Sequence, residues 1–130
     1  MSENTALVER FFAAVIGQDI DTLKALVSPD CVVHEPAELP YGGEYKGLDG
    51  LLAMFGAIGR DFDFAVTGAA TMDAGEGKVA VRIDATFTAR ASGRSTSFPI
   101  AELYTLSGGQ IVDIDVFYKE PGAVRALLDA

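Results

Sequence analysis

The residues of this chain best suited to chemistry gather in one short segment, from His34 to Gly47. It holds the only histidine, two prolines, two of the four tyrosines and three glycines, and it lies between a predicted strand and a predicted helix. Bendable backbone beside polar and aromatic side chains is typical of the edge of a pocket. Side chains alternate along a strand, so His34 and Glu35 point to opposite faces, and we expect Glu35 to point inward. Glu35 is therefore a candidate for proton transfer.

A second candidate, Glu102, is the only charged residue on one face of a predicted strand. The apolar residues that share its face are Phe98, Ile100, Tyr104 and Leu106. A carboxyl group in such a place is costly unless it is paired, hydrated or functional, and its pKa is expected to be raised. Glu102 is thus predicted either to face a ligand or to make a structural hydrogen bond to a tyrosine or to His34.

Several aromatic residues are candidates for contact with a ligand. Tyr41 and Tyr45 are predicted to cover the mouth of the pocket, with ordinary loop packing as the alternative. The other candidate contacts are Phe11, Phe55, Phe98, Tyr104 and Tyr118. Phenylalanines are more often core residues than ligand contacts. Core positions are therefore expected for Phe11, Phe55, Phe62, Phe64, Phe98 and Phe117.

The composition excludes several classes of function. Nineteen acidic residues against ten basic ones disfavour nucleic acids and anionic membranes as partners. No apolar run approaches the ~20 residues of a membrane span, and no secretory signal precedes the first helix, so a soluble cytoplasmic protein is predicted. The single cysteine, Cys31, allows no internal disulfide and is interpreted as a core residue. With one histidine and no phosphate-binding loop, no metal and no cofactor are predicted.

The order of apolar patterns predicts one domain over residues 1–130, with helices first and long strands afterwards. Helical spacing predicts a first helix over residues 5–17, capped by Asn4 or Thr5. A short second helix is predicted to begin at Asp19 or Asp21 and to end at Ser28-Pro29-Asp30. A third helix is predicted over residues 48–58. Strands are predicted over 31–35, 62–73, 78–90, 95–106 and 110–119, with glycine-containing turns between the last four. Residues 122–129 can add a last helical turn or two.

This order predicts an α+β fold in which the helices pack on one face of an antiparallel sheet. In the strand over residues 78–90 the alternation assigns Val79, Val81, Ile83, Ala85 and Phe87 to the helical side. The next strand is largely apolar on both of its faces. We therefore expect the outer sheet face to meet a second copy of the chain in a homodimer.

The chain resembles the SnoaL-like and ketosteroid-isomerase-like families of the nuclear-transport-factor-2-like superfamily. The resemblance runs from Val8 to Lys119 and rests on Val33-His34-Glu35-Pro36, on Tyr41-Gly42-Gly43 with Tyr45-Lys46-Gly47, and on Gly109-Gln110-Ile111-Val112. It implies a cone-shaped α+β barrel, with three N-terminal helices packed on a strongly curved, mainly antiparallel sheet around a ligand cavity. Fold alone does not select among the many functions of this superfamily.

The resemblance also assigns roles to residues. The steroid isomerases place a carboxylate base before a proline after the first strand, which corresponds to Glu35. A second acid, kept protonated to donate a hydrogen bond to the oxyanion, corresponds to Glu102. The tyrosine that completes the oxyanion site falls on Phe11, which has no hydroxyl group. Losing one such donor typically costs about 10²- to 10³-fold in rate, so that mechanism cannot simply be copied.

Two related chemistries are disfavoured. Arg82 and Asp84 resemble part of the epoxide hydrolase site of this fold, but strand alternation points them away from the core. SnoaL-like cyclases use an acid of the last strand, where this chain has Val116 facing inward and ends the strand with Lys119.

Two functions remain open. One is a cofactor-independent isomerase- or cyclase-like enzyme that moves a proton on a small, apolar, carbonyl-containing ligand, with Glu35 as general base and Glu102 as protonated donor. The other is a non-catalytic ligand-binding or accessory module of the same fold.

Overall fold

The computed structural model describes residues 2–129, which form four helices and six strands. The helices are α1 (Glu3–Ile16), α2 (Ile20–Leu26), α3 (Gly47–Asp61) and α4 (Pro121–Ala126). The strands are β1 (Val27–Glu35), β2 (Gly43–Lys46), β3 (Phe62–Gly75), β4 (Lys78–Ala89), β5 (Ser95–Ser107) and β6 (Gln110–Tyr118). The predicted α+β class and mainly antiparallel sheet are confirmed. Three helices do precede the long strands, but β1 and β2 separate α3 from α1 and α2.

Local side-chain contacts decide where the first two helices begin. Ser2 caps α1, because its Oγ accepts a hydrogen bond from the Thr5 N–H at 3.1 Å while Thr5 Oγ1 accepts one from the Ser2 N–H at 3.0 Å. The prediction of Asn4 or Thr5 as the cap was wrong, since this reciprocal pair satisfies two N–H groups at once. Asp19 caps α2 as predicted, through the N–H of Thr22 at 3.2 Å.

The strands form one sheet in the order β2-β1-β6-β5-β4-β3, and only the β1–β6 pair is parallel. The turn between β5 and β6 is built by Gly108 and Gly109, whose φ angles of 60° and 77° lie in the left-handed region. The parallel pairing of β1 with β6 places the end of β1 beside β6. The first strand therefore delivers its last residues to the centre of the sheet rather than to its edge.

Two elements differ from the sequence-based expectation. Strand β1 begins at Val27, because the backbone becomes extended directly after α2, and the Ser28-Pro29-Asp30 segment lies inside the strand. Strand β2 was expected as loop, but Gly43–Lys46 pairs antiparallel with β1, with Tyr45 opposite Val33. A four-residue edge strand carries too short an alternation for the sequence to reveal it.

The core lies between the helices and the sheet, and strand alternation predicted its β4 side correctly. Val79, Val81, Ile83, Ala85 and Phe87 are all buried. Three predicted core residues are not buried: Phe55 is half-buried against the core, Phe64 is 40% exposed and Phe117 is 54% exposed. Phe64 lines the cavity from the edge strand β3, and Phe117 lies opposite Ala101 on the outer face of the sheet.

Among residues 2–129, no helix combines the length and the apolar character that crossing a membrane requires.

Candidate active site

A cavity of about 540 Å³ lies between the concave face of the sheet and helices α1 and α3. Helices α1 and α3 and strand β3 supply apolar walls, and β1, β4, β5 and β6 supply the floor. Its polar groups are few: Glu9 at the exposed edge, Thr71, two carboxyl groups and two tyrosine hydroxyls on the floor. A mostly apolar cavity of this volume with a few convergent polar groups is the usual form of a small-molecule site.

The sheet register aligns the two predicted acids across three strands. Glu102 of β5 pairs with Val116 of β6, and Glu35 follows His34, which pairs with Asp115 next to Val116. Glu35, Val116 and Glu102 therefore lie in one row. At about 4.8 Å per strand, the Cα atoms of the two acids are about 10 Å apart, with both side chains on the concave face. Long-range strand pairing thus brings together two residues that are distant in the sequence.

Glu102 receives a hydrogen bond from its own strand. The Tyr104 hydroxyl donates to Glu102 Oε1 at 2.9 Å, since residues two apart on a strand share a face. Burial raises the pKa of Glu102 to about 7, and this hydrogen bond opposes the rise because it stabilises the carboxylate. The structural hydrogen bond to a tyrosine, one of the two alternatives raised for Glu102, is therefore present, and the same side chain lines the cavity.

Glu35 is also buried, with 8% of its surface exposed. Burial raises the pKa of Glu35 to about 8, and the charge of Glu102 adds to the rise. The Tyr118 hydroxyl opposes it only weakly, because its distance to Glu35 Oε2 is 3.4 Å. The prediction that Glu35 points inward is confirmed by its burial and its place in the cavity floor.

Tyr41 and Tyr45 are not among the described residues that line the cavity. Tyr41 is 4% exposed, and its hydroxyl lies 2.6 Å from that of Tyr118. The Tyr45 hydroxyl donates to the Tyr41 carbonyl oxygen at 2.7 Å. Of the two alternatives raised for these tyrosines, the contacts correspond to ordinary packing, and Tyr45 lies opposite Val33 because β2 pairs with β1. The two tyrosines support Tyr118, which does line the cavity.

The other predicted aromatic contacts divide into two groups. Phe11, Phe55, Tyr104 and Tyr118 line the cavity. Phe98 does not: its ring stacks on Phe87 at 5.9 Å between centroids and packs against Tyr118 at the same distance. Phe98 is thus a packing residue that holds the Tyr118 ring.

The sequence did not single out most of the cavity's apolar wall. These residues are Phe12, Val15, Ile16, Leu51, Met54, Ile58, Phe64, Val66 and Ala69. Helical spacing identified the inner faces of α1 and α3, but an inner face can pack against a core or line a cavity with the same pattern. Only the distance between helix and sheet distinguishes the two.

Phe11 lies in the cavity at the position where the resemblance expects an oxyanion tyrosine. Its ring packs edge-on against Tyr104, with 5.9 Å between centroids. The tyrosine hydroxyls of the cavity come instead from the sheet, from Tyr104 and Tyr118, and each donates its proton to a floor acid. The α1 position thus supplies no hydroxyl donor to a ligand.

His34 points away from the cavity, as expected. Its Nδ1 lies 2.8 Å from Glu44 Oε2 and its Nε2 lies 2.8 Å from Asp113 Oδ1. The hydrogen bond to Asp113 is the main reason that the pKa of His34 is raised. Since Glu44 belongs to β2 and Asp113 to β6, His34 ties the edge strand to the sheet centre.

The residues of the two disfavoured chemistries lie where alternation predicted. Arg82 and Asp84 are exposed on the outer face and form an ion pair at 3.4 Å. Val116 faces the cavity between the two acids. Among the described residues that line the cavity, the carboxyl groups are those of Glu9, Glu35 and Glu102.

The two floor acids can share one proton. Burial raises the pKa of both carboxyl groups, and the charge of Glu102 raises that of Glu35 further, so the pair loses its protons in two steps and passes through a state with one carboxylate and one protonated acid. Tyr104 bonds Glu102 more closely than Tyr118 bonds Glu35, so Glu102 is the group that ionises first. A base and a hydrogen-bond donor then face the same apolar space.

Comparison with known proteins agrees with this architecture. The model of the SnoaL-like domain matches residues 8–114. An uncharacterized protein of Mycobacterium tuberculosis is 30% identical over 124 residues, covering 92% of each chain.

Solved structures share the fold at lower identity. An NTF2-like protein of Burkholderia thailandensis has a TM-score of 0.88, with 23% identity and 100% of both chains covered. A proposed polyketide cyclase of Pseudomonas putida has a TM-score of 0.75, with 17% identity over 96% of this chain and 98% of the other. The chain therefore belongs to the SnoaL-like domain family, within the NTF2-like fold.

Proposed function

We propose that this protein is a cofactor-independent enzyme that moves a proton on an apolar, carbonyl-containing molecule, with isomerisation of a β,γ-unsaturated ketone as the reaction type. The observation that carries the proposal is the pair of buried carboxyl groups on the floor of one apolar cavity, each with a tyrosine partner. Perturbed acids that converge on a cavity are the usual signature of acid–base catalysis.

The hydrogen bonds support a definite division of roles. Glu102, bonded by Tyr104 at 2.9 Å, is the ionised base that removes the proton from the carbon next to the carbonyl. Glu35 keeps its proton and donates a hydrogen bond to the carbonyl oxygen as negative charge develops there. Glu102 then returns the proton to the γ carbon, which moves the double bond into conjugation. These roles are the reverse of those that the resemblance assigned.

The test is the pH dependence of kcat/KM for cyclohex-3-en-1-one, followed by the absorbance of the conjugated product. Activity requires one proton on the pair, so we expect a maximum between pH values of about 7 and about 8, falling on both sides. Glu102→Gln removes the base, and a loss of about 10² to 10⁴-fold is expected. Glu35→Gln keeps an amide N–H donor, so its loss of kcat/KM should be smaller. Because glutamine does not ionise, the fall in kcat/KM on the alkaline side of the pH profile should disappear.

Glu3→Gln is a matched control, since it removes the same charge from an exposed site at the start of α1. If Glu35→Gln is the more damaging variant, Glu35 is the base and the roles revert to those of the steroid isomerases. If wild type is inert throughout while still binding ligands, the enzyme proposal is refuted.

The second candidate function is a non-catalytic ligand-binding module. Phe11 favours it, because a phenyl ring in the cavity supplies no hydroxyl to an oxyanion. Under this reading the acids and tyrosines only orient a bound molecule, and both glutamine variants change affinity without any rate to lose.

A further inference from the structure

The charged groups around the cavity are all of one sign. Among the described residues that line it, three are glutamates, at positions 9, 35 and 102, and none is lysine, arginine or histidine. Glu9 is exposed at the edge, and the other two lie on the floor. Wherever these carboxyl groups are ionised, a cation in the cavity meets only attractive charges and an anion meets only repulsive ones.

Each floor acid leaves one oxygen free for a ligand. Within residues 2–129, Tyr104 bonds Glu102 Oε1 and Tyr118 bonds Glu35 Oε2, while the other oxygen of each carboxyl group accepts no protein hydrogen bond. Every fully buried side-chain N or O atom of the described residues has a hydrogen-bond partner. Since these two oxygens have none, they are not fully buried, and we place them at the cavity surface. An ammonium group has three N–H donors and can bond both.

We infer that the cavity preferentially binds apolar primary amines as ammonium ions, with the nitrogen between Glu35 and Glu102 over Val116. The apolar part of the molecule then lies against Phe11, Phe55 and the other wall residues. This inference goes beyond the proposed reaction, because it concerns binding alone and holds whether or not the cavity is catalytic.

Binding of a cation displaces protons from the pair. The titratable groups near the site are Glu9 on α1, Cys31 and Glu35 on β1, Tyr41 before β2, Tyr45 on β2, Glu102 and Tyr104 on β5 and Tyr118 on β6. Burial keeps the tyrosines and Cys31 neutral by raising the pKa of each, so the two floor acids are the groups that respond near neutral pH. A bound ammonium ion stabilises the ionised form of both Glu35 and Glu102, so these carboxyl groups release protons when the amine binds.

The test compares three molecules of one shape: adamantan-1-amine, adamantan-1-ol and adamantane-1-carboxylate. Isothermal titration calorimetry at pH 7 measures each affinity, and repetition in buffers of different ionisation heat measures the protons exchanged. We expect the amine to bind at least about tenfold more tightly than the alcohol, since its hydrogen bonds are charge-assisted. We expect proton release with the amine alone and no saturable binding of the carboxylate.

Variants locate the effect. Glu35→Gln and Glu102→Gln together are expected to reduce the amine-to-alcohol ratio to about one, whereas Glu3→Gln is expected to leave it unchanged. The inference is overturned if the alcohol binds as tightly as the amine, if the carboxylate binds, if the amine fails to bind at millimolar concentration, or if the double variant keeps the preference. Wild-type protein alone supplies the first three outcomes. Amine binding by a protein without isomerase activity refutes the proposed reaction and leaves this inference standing.

Discussion

Replacing Glu35 by glutamine is expected to make the folded protein more stable at alkaline pH. In the wild type, the Glu35 carboxyl group is 8% exposed and must ionise next to Glu102 when the pH rises. Glutamine has nearly the same shape and carries no charge, so it removes this penalty without opening a cavity. Near pH 5, where the buried carboxyl group is already neutral, the two proteins should differ little.

The magnitude follows from the pKa. Folding raises the pKa of Glu35 from 4.5 to about 8, so its stabilising contribution is fully present below pH 4.5 and is lost as the pH rises through about 8. At about 1.4 kcal/mol per pKa unit, the wild-type free energy of unfolding falls by about 4 kcal/mol between about pH 5 and about pH 9 from this residue alone. Glu35→Gln should abolish that part of the fall.

Urea unfolding followed by circular dichroism at both pH values measures the difference. Glu3→Gln reports the general effect of removing one charge from an acidic protein, and its stability relative to wild type should hardly change with pH. A Glu35→Gln protein whose stability relative to wild type is the same at both pH values would refute the reasoning. It would mean that the carboxylate is solvated or paired in a way that the described residues do not provide.

Three further outcomes are expected. Tyr104→Phe removes the hydrogen bond that opposes the rise in the pKa of Glu102. The acidic limb of the pH–rate profile should therefore move up by about one to two pH units, and Tyr118→Phe should move it less. Gly42→Ala should cost about 1–3 kcal/mol in urea unfolding, because its Cβ would lie 2.3 Å from the Pro36 carbonyl oxygen, whereas Gly56→Ala in α3 meets no atom within 4 Å and should be neutral or stabilising. We propose that two copies of the chain form a homodimer through their outer sheet faces, where Phe117 is exposed. Light scattering after size exclusion should give twice the chain mass for wild type and the chain mass for Phe117→Lys. A monomeric wild type contradicts this proposal.

Much of the architecture was readable from local pattern. Alternation identified the buried face of β4, and it distinguished Glu35 from His34 and Glu102 from its outward neighbours. These predictions succeeded because a strand that is buried on one face leaves its period in the sequence. The turn at Gly108 and Gly109 was readable for a similar reason, since its backbone needs a residue without Cβ.

Other features depended on individual contacts, one local and one between strands. The cap of α1 was misplaced by two residues or more because a reciprocal bond between Ser2 and Thr5 outweighs the single-residue preference. Tyr41 and Tyr45 were expected either to cover the cavity mouth or to pack in the loop, and the pairing of β2 with β1 and the hydrogen bonds of their hydroxyls hold them in packing contacts outside the cavity lining. Neither feature leaves a periodic signal in the sequence, because the first depends on one pair of hydrogen bonds and the second on one pair of strands.

The sequence by itself determined the fold class, the family and the identity of the two acids, since composition, periodicity and a few quoted motifs carry that information. The tertiary structure alone decided that Glu35 and Glu102 share one row across β1, β6 and β5. It also decided that Tyr104 bonds one acid more closely than Tyr118 bonds the other. The order of ionisation depends on burial, on neighbouring charge and on tenths of an ångström in hydrogen-bond length, and these exist only once the strands have paired.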